Sequence, residues 1–166
     1  MKKISGICDW VIKMGAYASG GLVLLTVIMV FYEVIARSLF HKPTIWATEL
    51  SIYAIIGSCF LGGAYAVRTY AHVTVDLLIN ALNDRWKTIF FYLSSSLGLV
   101  FSIIFTIYGF IHVGKTLELG ETSSSLLRIP MYLPKLFLPI GGILLCLAFI
   151  LQIVDPAEQE EGGDHV

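Results

Sequence analysis

Charged residues are spaced so unevenly that cutting the sequence at every Asp, Glu, Lys and Arg leaves four long uncharged runs, at residues 14–32, 50–67, 88–114 and 136–154. They are 19, 18, 27 and 19 residues long. Each reaches the roughly 17–25 residues that a helix rising ~1.5 Å per residue needs to cross a hydrocarbon core ~30 Å thick. Lipid offers no partner for backbone N–H and C=O groups, so continuous apolar runs must satisfy them internally, as helices. The alternation of a membrane barrel strand is missing from these runs. The fold class is therefore all-α integral membrane, with four transmembrane helices at about 14–36, 47–67, 88–114 and 136–154. One membrane domain spans residues 14–154, preceded by a short segment, 1–13, and followed by an acidic tail, 155–166, expected to be disordered.

The connections carry their own patterns. The first, SLFHKPTI, is short and contains Pro43, so the first two spans should form an antiparallel hairpin of direct neighbours. In the second, Val75, Leu78, Ile79, Leu82 and Trp86 recur at helical spacing with Asp76, Asn80, Asn83 and Asp84 between them. This predicts an amphipathic helix at about 74–87, lying along the membrane surface or extending the third span. The third, TLELGETSSSLLRIPMYLPK, cannot be one regular helix, because Pro130 and Pro134 interrupt it. An ordered, partly embedded loop and a flexible connector both remain open. Trp10, Trp46 and Trp86 fall at span borders, where an apolar ring with a polar N–H prefers to sit.

Composition agrees with the pattern: 57% of the 166 residues are hydrophobic and 14% charged, with a formal net charge of -1. That balance argues against nucleic acid as a partner. The start, MKKISGICDW, looks like a secretion signal, but its apolar run is too long and lacks a small-residue exit, so a retained first helix is expected. Cys8, Cys59 and Cys146 are scattered and read as small apolar fillers. Basic residues number six (Lys2, Lys3, Lys13, Arg68, Arg85, Lys87) on the side of the termini and five (Arg37, Lys42, Lys115, Arg128, Lys135) on the other. The lysines ahead of the first span favour cytoplasmic termini.

Two spans carry stripes of small residues at spacings of three and four: Ser51, Ala54, Ser58, Gly62 and Ala66 in the second, and Ser95, Gly98, Ser102, Thr106 and Gly109 in the third. In lipid such stripes let helix backbones approach closely, which makes them packing faces. A polar path along Ser94, Ser95, Ser96 and Ser102 is the sharper reading, but hydroxyls alone do not stabilise an ion. Glu33, Arg37 and Glu49 sit at span ends, suited to a structural pair between Arg37 and a carboxylate rather than a proton relay. Only His112 of the four histidines lies inside a run, so a haem-bearing anchor of a respiratory enzyme has little support. A self-sufficient four-helix exporter would want a carboxylate inside the first span, and residues 14–32 have none. No phosphate loop, zinc spacing or catalytic triad is present, and the chain is not expected to be an enzyme.

The segments EVIARSLFHKPTIWATEL (33–50), AYAVRTYAHVTVDLL (64–78) and LLRIPMYLPKLFLPIG (126–141) resemble the small membrane subunit of tripartite ATP-independent periplasmic (TRAP) transporters, the DctQ-like family. Arg37, Trp46 with Glu49, the series Arg68, His72 and Asp76, and Arg128 with Pro130 carry the resemblance, which extends over about residues 15–154. Thr48 departs from the family, which often has an acid there. The resemblance implies a scaffold that pairs with a large permease subunit in the bacterial inner membrane. A periplasmic substrate-binding protein would deliver organic acids, and sodium would act on the large subunit, leaving this chain without a cofactor. On this view Arg37, Trp46 and Glu49 hold the first hairpin, the helix beginning near His72 braces the unit, and the third connection reaches the binding protein.

Overall fold

The computed structural model describes residues 2–42, 44–69 and 84–154. The described residues form helices α1 (Lys2–Phe40), α2 (Ile45–Arg68), α3 (Asp84–Leu119), the short α4 (Tyr132–Lys135) and α5 (Phe137–Val154). Four stretches are long and apolar enough to cross a membrane: Ser5–Phe40, Ile45–Arg68, Thr88–Leu119 and Tyr132–Val154. At ~1.5 Å per residue the 39 residues of α1 and the 36 of α3 outrun a ~30 Å hydrocarbon core, so both helices project beyond it or cross at a tilt.

Local chemistry sets the ends. His41 takes a left-handed φ of 52° and stops α1. Gly120, with φ of 60°, ends α3: its N–H donates to the Leu117 carbonyl and the N–H of Glu121 to that of Thr116, both at 3.2 Å. This paired C-terminal closure is the one glycine makes without a Cβ penalty. The fourth span begins at Tyr132, earlier than the expected 136. Pro134 and Pro139 fall in the first turns of α4 and α5, where a missing N–H costs little.

The helices pack in the order α1, α2, α5, α3, with only light contact between α1 and α5. The arrangement is a row, and the first two spans are neighbours as the short hairpin predicts. In the most apolar window, α1 and α3 are 11% and 17% buried against 33% and 39% for the other two spans. Close approach replaces large side chains along the seams. Ser19 Oγ donates to the Ser58 carbonyl at 2.8 Å between α1 and α2. Gly141 lies against Phe60 of α2, and Gly142 and Gly98 lie against Thr106 and Phe149 across the α3–α5 seam. At the end carrying the termini, Ile12, Ala64, Val67, Leu144, Ala148 and Leu151 form the apolar core, so the residues just ahead of the first uncharged run belong to the packed unit. The surface helix expected at about 74–87 falls largely outside the described residues, and Asp84 to Lys87 open α3.

Candidate functional site

The polar chemistry gathers at the opposite end, where the α1–α2 turn meets the third connection. That connection is an ordered loop. Thr122 and Pro130 pair as an antiparallel bridge, the Ser123 N–H donates to the Ile129 carbonyl at 2.8 Å, and the Met131 N–H donates to that of Glu121 at 2.9 Å. Lys135 Nζ closes the base of the loop, donating to Glu121 Oε2 at 2.7 Å and to Thr116 Oγ1 at 2.8 Å.

Glu49 fastens this loop to α2. The residue is buried, and its carboxylate accepts a hydrogen bond from Tyr53 Oη at 2.7 Å and another from Ser125 Oγ of the loop. Ser125 Oγ in turn accepts from the Leu127 N–H at 3.2 Å, and Tyr53 Oη lies 3.6 Å from Met131 Sδ. An open hollow of about 730 Å³ lies beside this latch, lined by Glu33, Thr44, Thr48, Glu49, Ser124 and Glu121 among others.

The carboxylate that Arg37 reaches is Glu33 of its own helix. Arg37 is 62% exposed and the pair is 3.3 Å long, while Glu49 takes hydroxyl donors from its own helix and from the third connection. Trp46 packs on Tyr32 with ring centroids 5.6 Å apart, and that contact does join α1 to α2. Arg128 is exposed with φ of 46°, and Pro130 takes part through the backbone bridge. His72 and Asp76 lie outside the described residues. Among the stripe residues, Ser51, Ala54, Ser58, Ser95, Ser102 and Gly109 are buried and Gly62, Ala66, Gly98 and Thr106 half-buried. Ser102 Oγ donates to the Gly98 carbonyl and Thr106 Oγ1 to that of Ser102, both within α3, while Ser94 and Ser96 are exposed. The hydroxyls thus do not line up as a polar path.

Two partners escaped the sequence reading. Asp9 pairs with Arg68, Nε to Oδ1 at 2.8 Å, tying the start of α1 to the end of α2. A lone carboxylate in a basic, membrane-proximal stretch is the signal that marks it. Asp9→Asn is expected to cost about 1–2 kcal/mol, read by thermal unfolding in detergent. The Lys135–Glu121 pair has a pH signature. The hydrogen bond from Lys135, then its charge, hold the Glu121 carboxyl below its ordinary 4.5. A lowered folded value means the pair stabilises the loop above that ordinary value and is lost as pH falls through the folded one. Loop amide protection should therefore hold from pH 7 to about 5 and fall below it. Glu121→Gln should reduce that dependence, leaving what the Glu49 carboxylate contributes through Ser125.

Fold and site together define a multi-span helical membrane protein whose interior polar groups are largely spent on holding helices and one loop in place. A family model described as "Tripartite ATP-independent periplasmic transporters, DctQ component" matches residues 26–159. The chain belongs to that family and is a transporter component, not an enzyme. It is 35% identical over 106 residues to the "C4-dicarboxylate TRAP transporter small permease protein DctQ" of Rhodobacter capsulatus, covering 64% of this chain and 46% of the relative. The protein of the same description from Vibrio cholerae is 30% identical over 92 residues, 55% of this chain and 38% of that one. The "Sialic acid TRAP transporter permease protein SiaT" of Haemophilus influenzae is 30% identical over 86 residues, 51% of this chain and 13% of that one. The chain thus spans less than half the length of the curated relatives it matches.

Proposed function

We propose that this chain is the stationary small permease subunit of a TRAP transporter. It pairs with a large permease subunit in the bacterial inner membrane, both termini cytoplasmic, and sodium-driven movement of an organic acid belongs to the large subunit. A periplasmic binding protein delivers the substrate, a C4-dicarboxylate or sialic acid by analogy with the relatives' names. The observation that carries this reading is the family match over residues 26–159. It is supported by the open row of helices, whose long outer members α1 and α3 leave broad apolar faces for a membrane partner and lipid. In the same reading Arg68, Arg128 and Pro130 shape surfaces near the partners.

Gentle-detergent purification with mass spectrometry should recover a large multi-span partner. Liposomes holding this chain alone should accumulate no solute, whereas the pair with its binding protein should. Sodium-coupled uptake by the single chain would overturn the scaffold reading. Because Arg37 is exposed and paired only along its own helix, Arg37→Ala should change the stability of the chain itself by at most about 0.5 kcal/mol. A loss of complex yield with that stability unchanged would assign Arg37 to the subunit interface.

A further inference from the structure

The third connection ends in a tip that its own fold leaves uncovered: Leu126 is 86% exposed and Leu127 44%, followed by exposed Arg128. Two adjacent leucines are not offered to water by accident of flexibility here, because the tip is tied on both sides. Ser125 hydrogen-bonds Glu49, the Arg128 N–H donates to the Ser125 carbonyl at 3.2 Å, and Arg128 is held at a φ of 46°. That is a left-handed conformation a non-glycine residue adopts only when its surroundings impose it.

Depth identifies what covers the tip. Glu49 lies one turn along α2 from Trp46, whose ring meets Tyr32, and such aromatic residues mark the membrane–water boundary. The latch to Glu49 therefore draws Ser125, and with it Leu126, back to the level of the first turn of α2. Met131, at the other side of the loop, reaches Tyr53 another turn along. Charge at this end leans towards an anionic surface: Lys42, Lys115 and Arg128 are exposed against the exposed carboxylate of Glu118, while Glu33 and Glu121 are engaged by Arg37 and Lys135 and Glu49 is buried.

We propose that Leu126 and Leu127 insert into the acyl–headgroup boundary of the outer leaflet while Arg128 engages an anionic phospholipid headgroup, making the tip a lipid anchor for this end of the subunit. An apolar pair followed by a long cationic side chain suits that layer, the leucines facing the chains and the guanidinium reaching the phosphate. The choice of the outer leaflet rests on the cytoplasmic termini of the proposed function, whereas insertion at this depth is independent of the solute carried.

The test uses the assembled complex with the large subunit, reconstituted in phosphatidylcholine bilayers with and without phosphatidylglycerol. Cys8, Cys59 and Cys146 are replaced by Ala, and Leu126→Cys carries a bimane fluorophore. Lipids brominated near the glycerol end should quench it by about half or more, and aqueous iodide should do so weakly. Adding Arg128→Gln should reduce the lipid quenching about twofold in phosphatidylglycerol bilayers. Strong iodide quenching without lipid quenching would place the tip in water. No quenching by either would place it on a protein, the large subunit. Either result overturns the anchor, and quenching indifferent to phosphatidylglycerol and to Arg128 overturns the headgroup assignment. Leu127→Cys gives the same readout if the first label impairs assembly.

Discussion

Gly141→Ala is expected to destabilise the chain by about 3 kcal/mol, although it adds one methyl to a helix. A Cβ there would stand 2.6 Å from Phe60 Cβ and 2.7 Å from the Phe60 carbonyl oxygen. A backbone carbonyl cannot rotate aside, so α5 would have to move off α2, and α5 also carries the α3 seam through Gly142 and Pro139. The better helix propensity of alanine returns at most about 1 kcal/mol. Gly20→Ala and Gly21→Ala on α1, and Gly114→Ala on α3, meet nothing within 4 Å and should be neutral or slightly stabilising in the isolated chain. Unfolding of the four variants in detergent decides the matter, and equal tolerance at 141 and 20 would mean that the α2–α5 seam is not held by close approach. Gly98→Ala should fall between, because the obstructing group is the Phe149 ring, which has rotamers to escape into.

The four spans were legible because lipid forces a length and a composition on any chain that crosses it. Charge-free runs of 18 or more residues are that constraint written in sequence. The small-residue stripes were legible for a related reason: a helix surface at spacings of three and four is a local property, and the structure buries Ser51, Ser58, Ser95 and Ser102 along it. Helix order in the row was not legible, because nothing in α1 or α3 alone says that both will pack against the α2–α5 pair and leave their far faces open.

The sequence left the carboxylate partner of Arg37 open between Glu33 and Glu49, and the i,i+4 neighbour Glu33 is the nearer choice for that side chain. The donors Glu49 uses come from Tyr53, four residues along the same helix, and from the loop serines Ser123 and Ser125, the latter 76 residues away. The first could have been found by helical spacing. The second could not, since a serine run with two prolines nearby fixes no loop conformation until Gly120, Pro130 and the Lys135–Glu121 pair have closed it.

Glu49→Ala is expected to release the third connection while leaving the helix row assembled. Wild-type Glu49 presents acceptors to Tyr53 Oη and Ser125 Oγ, and alanine leaves both hydroxyls without them in a partly buried site, where an unmet polar group is costly. The loop would then be tied mainly at its base, by Lys135 to Glu121 and Thr116, with the weak Tyr53–Met131 contact remaining beside α2. Hydrogen exchange at the Ser123 and Met131 amides, which donate inside the loop, should speed up by about tenfold or more, with exchange in α2 and α5 little changed. Glu49→Gln separates charge from geometry. It keeps the shape and one carbonyl acceptor, so an intermediate effect means that the charged acceptor strengthens the latch, since hydrogen bonds to ionised groups are stronger than neutral ones. Wild-type exchange in the glutamine variant would mean that one neutral acceptor holds the latch as well as the carboxylate does. Unchanged loop exchange in the alanine variant would show that the base alone holds the loop, and Glu121→Gln would then be the substitution that frees it.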